Sequence, residues 1–320
     1  MRAFARHALF ASAMVFAAAA LLPNAALAAY PDRPVTVIVA WTAGGATDLV
    51  ARSVQPELGK KLGAEIIIKN IAGASGTIGT AEAARAKPDG YTILITPTGP
   101  MTTQPHLRKI PYGLNSFAPV GRIAIAPVMM MVPKTSKLKT LNDVIETAKA
   151  NPGKLKFGSS GAGTLPHIAI LALNKGAGIE TKHIPYKGSA NAMKALLGGE
   201  VDVFSDMAQL VPKYDVHPVV SWTRERNPEF PNVASIKEHG FDFEMINWVG
   251  MFAPKGTPDD IVSKLAGALQ AAIEEPTVKE ALEKLRVKAA HLGPVEFGKF
   301  SAGDSDRNRE LLAEAGLLAQ

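Results

Sequence analysis

The sequence predicts an α/β fold with mostly parallel sheets, and three observations carry that prediction. Short apolar runs such as VTVIVA, AEIIIKN and DGYTILIT alternate with helix-patterned stretches, the signature of βαβ units. The alternation resumes in a second block near Met131. Four loops of glycine and small polar residues follow strand patterns: AWTAGGATD, NIAGASGTIG, TPTGP and GSSGAGTLPH. Ligands of open α/β sheets sit at such strand ends.

The elements follow in order. Residues 1–28 read as a secretory signal peptide, not as part of the fold: Arg2, Arg6 and His7 precede the 15-residue apolar run ALFASAMVFAAAALL, and Ala26-x-Ala28 forms a small-residue cleavage site. That run is too short for a membrane span. VTVIVA is the first strand. Val50, Val54, Leu58 and Leu62 then recur at helical spacing, with Pro56 expected to kink or divide that helix. AEIIIKN, GTIGTAEAARAK and DGYTILIT read as strand, helix and strand.

In the second block VMMMV is a buried strand. KTLNDVIETAKANPGK is a helix with Thr140 as N-cap and Asp143 as its capping-box partner. LKFGSS, IETKHIPY, EVDVFSD and DVHPVVSWT are strands. TLPHIAILALNKG is a helix with Thr164 as N-cap, and SANAMKALLGG is another. MINWVGMFAPKGTP is a return crossing. TPDDIVSKLAGALQAAIEE is a helix with Thr257 as expected N-cap, Pro258 at its first position and Pro276 at its end. Two short helices complete the chain. The inferred organisation is two lobes, 29–130 plus 250–320 and 131–249, joined by a two-strand hinge, with the binding cleft between them.

Composition bounds the function. The 320 residues are 47% hydrophobic and 20% charged, which is globular. The absence of cysteine excludes disulfides, thiolate catalysis and cysteine metal sites. After cleavage at Ala28, 33 basic residues face 29 acidic ones, a net charge of +4 without a basic block. Nucleic-acid binding is not expected. No later apolar stretch is long enough to span a bilayer, so the mature chain is not expected to be membrane-embedded.

The loops carry the chemistry. A helix N-terminus offers unpaired N–H groups and partial positive charge, and glycines let an anion approach. Each loop that opens a helix is therefore a candidate carboxylate or phosphate cradle, although such loops often only turn the chain. Nucleotide motifs fail: Gly161-Ala162-Gly163 meets Pro166 where a third glycine belongs, and no Walker pattern ends in Gly-Lys-Ser/Thr. GASG and GSSG both miss the Gly-x-Ser-x-Gly nucleophile elbow. The histidines are scattered without metal-ligand spacing, and His167 reads as a satisfied histidine near a helix start. Lys187 is either an anion contact or a solvated turn lysine. Asp206 ends a strand and would repel an acidic ligand unless water or an N–H lay between. No enzyme activity, metal or cofactor is expected.

Five stretches in order, YPDRPVTVIVAWTAGGATDLVAR, IKNIAGASGTIGTAEAARAKPDGYTILI, KFGSSGAGTLPHIA, HIPYKGSANAMKALLGGEVDVFSD and MFAPKGTPDDIV, resemble the Bug family of periplasmic receptors of tripartite tricarboxylate transporters. The resemblance covers essentially the whole mature chain. It implies a Venus-flytrap fold, and capture of a small di-/tricarboxylate or aromatic carboxylate by a periplasmic monomer that passes it to membrane transporter subunits. A ligand sensor that presents its closed form to a histidine kinase is the alternative role.

Carried over residue by residue, the resemblance implies ligand contacts at Trp41, Thr42, Gly44, Gly45 and Asp48 in the first loop. It implies others at Thr96 and Thr98, at Ser159, Ser160, Gly161, Gly163 and Thr164, and at Asp206. The chain departs from the family's proline-rich pattern around Ala40 and Ala43. It also departs at YDVH, where a Gly-Lys is usual. Neither paired cradle loop contains Lys or Arg, so an acid would be held by neutral donors.

Overall fold

A strand of 16 residues, β4, runs through the middle of the computed structural model, and the two sheets divide along it. Residues 30–186 and 189–319 are described, so the expected signal peptide and Lys187 lie outside them. Arg33–Gln320 form one compact unit.

The first sheet starts as expected. β1 (Val35–Val39) leads into helix α1 (Ala46–Leu62), β2 (Ile66–Asn70) into α2 (Thr77–Ala84), and β3 (Thr92–Pro97) into the short α3 (Thr98–Thr102) and α4 (Gln104–Leu107). β1 pairs in parallel with both β2 and β3. Pro56 does not divide α1. It sits on the exposed face, so the carbonyl it leaves without an N–H partner is open to water.

β4 (Phe117–Val132) contains the expected VMMMV and eleven residues before it. Helix α5 (Leu141–Ala150) has the predicted capping box: Thr140 Oγ1 accepts the Asp143 N–H and the Asp143 carboxylate accepts the Thr140 N–H. β5 (Lys156–Ser159), α6 (Leu165–Ala177), β6 (Lys182–Pro185), α7 (Ser189–Leu197) and β7 (Val203–Met207) follow. β5 runs parallel to β6 and β7. A short α8 (Leu210–Tyr214) and β8 (His217–Ser221) complete the second sheet.

The chain returns along β9 (Ile246–Pro254) to α9 (Asp259–Glu274), α10 (Pro276–Lys284), β10 (Lys288–Leu292) and α11 (Pro294–Glu314). Two expectations change here. Helix α9 starts at Asp259 with Pro258 as N-cap, because the Thr257 hydroxyl turns back to the Pro254 carbonyl. The last helix is not short: α11 has 21 residues.

Each sheet keeps a parallel ladder, but β4 runs antiparallel to β9, β7, β8 and β10, and β3 runs antiparallel to β9. The sheets are therefore mixed. β4 leaves the first sheet at Pro127, paired with Ile246, and enters the second at Val128, paired with Met207. Along its end the strand alternates. Met129 and Met131 join one core with Met193 and Phe204, while Met130 and Val132 join the other with Phe157 and Ile168. Burial on both faces explains an uninterrupted apolar run where one-sided strands alternate.

Helix α11 adds a connection beyond β4. Its Asp304 carboxylate accepts the Thr102 hydroxyl (3.0 Å) and the Trp248 indole N–H (3.2 Å), both in first-sheet elements. Asn308 Nδ2 donates to Thr102 Oγ1 at 3.1 Å. One turn later Leu311 and Leu312 are buried in the second sheet's core beside Ile168.

Candidate functional site

β1 ends in a turn that is tied down from behind. Gly44 has φ +75°, a conformation natural only to glycine. Its N–H donates to Asp48 Oδ2 at 2.8 Å, and the Gly45 N–H donates to the Thr42 carbonyl at 3.1 Å. Asn70, at the end of β2, donates to the Trp41 carbonyl (3.0 Å) and to Asp48 Oδ1 (2.9 Å). Arg52, one turn further along α1, donates to Asp48 Oδ2 at 2.8 Å. Burial pushes the Asp48 carboxyl up, but Arg52, the Gly44 N–H and Asn70 outweigh it and hold the group below its usual value.

Asp48 is fully buried and both its oxygens are occupied inside the loop. Thr42, Ala43, Gly44 and Ala46 are exposed. Helix α1 opens on Gly45 without a side-chain cap. Among the described residues, the N–H groups of Ala46, Thr47 and Asp48 have no hydrogen-bond acceptor, as the first turn of a helix requires. Trp41 is half-buried, and its ring lies close to Gly76 and Pro100, since a Cβ at Gly76 would stand 2.6 Å from Pro100 Cγ and 3.3 Å from Trp41 Nε1.

The loop after β5 is built the same way from different chemistry. Ser159 is fully buried. Its hydroxyl accepts the Gly161 N–H (3.2 Å) and is shared between the Gly161 carbonyl (3.0 Å) and His183 Nε2 (2.7 Å). The Thr164 hydroxyl donates to the Gly161 carbonyl at 2.7 Å. His167 Nδ1 accepts the Gly163 N–H at 3.0 Å, and its ring stacks on His183 with centroids 3.8 Å apart. Thr164 is the N-cap of α6 without a side-chain cap bond. Ser160 and Ala162 remain on the accessible side of the loop.

Asp206 stands at the carboxyl edge of β7, beside this loop. It accepts the Ser189 hydroxyl at 2.6 Å and the Met207 N–H at 2.8 Å. Burial raises its pKa against those hydrogen bonds.

The structure places the two loops as separate turns at strand ends. The N–H groups of Gly44, Gly45, Gly161 and Gly163 hold their own loops. Thr96 is fully buried within β3, and the Thr98 hydroxyl is occupied by the Trp248 backbone. Among the described residues of the two loops, the N–H groups left without a protein acceptor are those of the first turns of α1 and α6, where Pro166 contributes none, and the Thr42 hydroxyl lies on the exposed side of its loop. Ala46, Thr47 and Leu165, the first-turn positions, were not singled out in the sequence. The rule that a helix's first N–H groups lack internal partners is the signal that identifies them. Two hollows, of ≈ 410 Å³ near Leu138 and Asp202 and ≈ 370 Å³ near Phe241 and Arg307, lie away from both loops. Neither is lined by a cradle residue, so the site rests on donors rather than volume.

The stacked histidines make the second loop acid-sensitive. Burial, with repulsion from His183, lowers His167 to about 3, and burial lowers His183 to about 4. Both stand below the unfolded value near 6.5, so their contribution is complete above that pH and is lost as pH falls toward 4. Thermal denaturation should show the melting temperature falling between pH 6.5 and 4. His167→Asn, whose amide oxygen can still accept the Gly163 N–H, should flatten that slope. A melting temperature that stays level across this window refutes the assignment.

Comparison with known proteins adds to this geometry. The family described as the tripartite tricarboxylate transporter family receptor matches residues 50–317. The UPF0065 protein of the tcbD-tcbE intergenic region of Pseudomonas sp. (strain P51) is 35% identical over 300 residues, 92% of this chain and 89% of that protein. The structure of the periplasmic binding protein BugD is 34% identical with a TM-score of 0.74, covering 91% of this chain and 100% of that one. Two Rhodopseudomonas palustris structures carry ligands. MatC with bound malate is 30% identical with TM-score 0.73, covering 88% and 100% of the two chains. Rpa4515 with adipate is 28% identical with TM-score 0.77, covering 90% and 98%.

Proposed function

This chain belongs to the tripartite tricarboxylate transporter receptor family, and on that premise we propose that it captures a small organic acid, a di- or tricarboxylate or an aromatic carboxylate, and delivers it to a tripartite membrane transporter. The family is one of periplasmic solute-binding receptors, and it has a two-lobe α/β fold. The observation that carries the reading is a pair of helices, α1 and α6, that follow parallel strands and open on N-caps without side-chain caps. Each presents uncharged donors and partial positive charge to one end of an anion. The bound malate and adipate of two relatives support a carboxylate.

The lobes proposed are 29–130 with 250–320 and 131–249. They close on the ligand by bending where β4 passes from the first sheet to the second at Pro127–Val128 and where the chain returns into β9 at Ile246, and the closed form is what the transporter reads. Capture is reversible and leaves the ligand chemically unchanged.

A thermal-shift screen against malate, adipate, succinate, citrate and benzoate tests the reading. A ligand at 100 times its dissociation constant stabilises the native state by about 2.7 kcal/mol, a rise of roughly 5 °C. A panel in which only amines or neutral solutes raise the melting temperature would refute it. Within the first loop, Gly45→Val is expected to abolish binding and leave the fold intact. Gly45 has an ordinary φ of −76°, and an added Cβ meets only Thr42, at 3.1 Å from its carbonyl oxygen. The branched side chain therefore occupies ligand space more than protein space. Unchanged affinity would remove this loop from the site.

A further inference from the structure

The segment 98–107, made of α3, Thr103 and α4, touches both candidate cradles. Near its start Pro100 stands beside the first loop, since a Cβ added at Gly76 would lie 2.6 Å from Pro100 Cγ and 3.3 Å from Trp41 Nε1. At its end Leu107 Cδ1 fills the space that a Cβ on Gly163 would need, and Gln104 Nε2 lies 3.6 Å from the same point. Helices this short have almost no stability of their own, yet Thr98, Thr102, Thr103 and Gln104 are all buried. What holds them is α11. Thr102 Oγ1 bonds Asp304 at 3.0 Å and Asn308 Nδ2 at 3.1 Å. His106 Nε2 is 2.8 Å from Ser305 Oγ, and the His106 carbonyl accepts the Ala319 N–H at 2.8 Å. From the other side the Tyr112 hydroxyl donates to the Pro100 carbonyl at 3.0 Å. The same α11 buries Leu311 and Leu312 beside Ile168 of α6, and its Glu314 accepts from Lys175 of α6 at 2.7 Å. One helix grips both the segment and the helix that opens on the second cradle.

We infer that this segment is a spacer bar: it fixes the separation of the two cradles and so selects the length of the dicarboxylate that spans them, with Leu107 as its positioning residue. The inference rests on the carboxylate-receptor reading above. An acid held at both ends must match the distance between its cradles, because N–H···O bonds tolerate only a narrow range of length, about 2.7–3.2 Å. A methylene too many or too few is accommodated only by moving a cradle. The first loop is braced by Asp48 and Asn70. The second loop moves toward the first lobe only by pushing into Leu107. Gly163 has no side chain to yield there, and its φ of +71° belongs to a turn that the His167 ring holds through the Gly163 N–H. Leu107 cannot retreat, because α11 holds α4 through Ser305 and Ala319. The reach of one leucine side chain is thereby converted into a preference for ligand length, without that side chain touching the ligand.

The test is calorimetric titration of the full mature chain with malonate, succinate, glutarate and adipate, which gives affinity against ligand length. Leu107→Ala shortens the end of the bar and lets the second loop settle toward the first lobe. Succinate should then gain on adipate by about tenfold, the scale of a methylene misfit. Ser305→Ala, which frees His106 on α4, should move the ratio in the same direction by a smaller factor, and it keeps the inference testable if Leu107→Ala does not fold. The control is Leu282→Ala, a buried position in α10. That helix meets α1 at its last turn through the Lys61–Glu275 pair, at the end away from the cradle. Leu282→Ala should lower the melting temperature and leave the succinate-to-adipate ratio within about twofold of wild type. An unchanged ratio in Leu107→Ala, a shift toward adipate, or an equal shift in Leu282→Ala overturns the spacer and leaves the receptor reading standing. Failure of the whole series to bind at up to ~10 mM also overturns the spacer, whereas the receptor reading then stands or falls with citrate and benzoate.

Discussion

Gly163→Ala is expected to destabilise the protein by about 2–5 kcal/mol and to weaken ligand capture by at least ~100-fold. Two costs add. Gly163 has φ +71°, where any side chain is strained. An added Cβ would also overlap Leu107 Cδ1, on α4, and stand 3.6 Å from Gln104 Nε2. Gly163 is thus the point where a first-sheet helix rests on the second cradle loop. Its N–H is held by His167, so the loop cannot move away without breaking that bond.

Leu107→Ala removes one of the two costs. In the double variant, stability and affinity should return by about 1–3 kcal/mol beyond additivity. Chemical denaturation with calorimetric titration reads both quantities. Wild-type stability in Gly163→Ala, or strict additivity with Leu107→Ala, would show that the contact does not act as described.

Asp48→Ala should cost about 2–4 kcal/mol, because it strands the Gly44 N–H and the Asn70 amide that its carboxylate now satisfies. The same change should weaken carboxylate binding, because the first-loop turn that presents α1 loses its brace. The distinguishing variant is Asn70→Ala. Asn70 ties the Trp41 carbonyl to Asp48. If Asp48 works as a brace, the two variants lower melting temperature and affinity in parallel, and the double variant is markedly less than additive. If Asp48 touches the ligand instead, Asn70→Ala retains affinity while Asp48→Ala loses it.

Much of the fold was legible because its signals are local. The Thr140–Asp143 capping box lies within four residues. The βα turns announce themselves by glycine, and the helices by four-residue spacing. The misses have the opposite character. The first eleven residues of β4 contain Pro119 and Pro127 and lack alternation, yet they form a strand because β9 and β10 pair with them from more than a hundred residues away. Pro56 argued for a kink or a division of α1, and burial of Val54 and Leu58 on its inner face kept the helix undivided. Helix α11 has few apolar residues, so its pattern did not disclose that Asp304 and Asn308 serve one sheet while Leu311 and Leu312 serve the other.

The candidate site divides along the same line. The sequence by itself determined the α/β class, the strand-end glycine loops, the absence of cysteine and the lack of a cation within either cradle. Each follows from residue type and spacing over a few positions. Only the tertiary structure decided which donors remain for a ligand. A polar group can be offered outward only if no distant partner has taken it, and those partners lie far away in sequence. Asn70 reaches Trp41 and Asp48, His183 reaches Ser159, and Asp206 takes the Ser189 hydroxyl. Hydrogen-bond allocation is a non-local property, because each donor and acceptor is exhausted by whichever group the fold brings to it first.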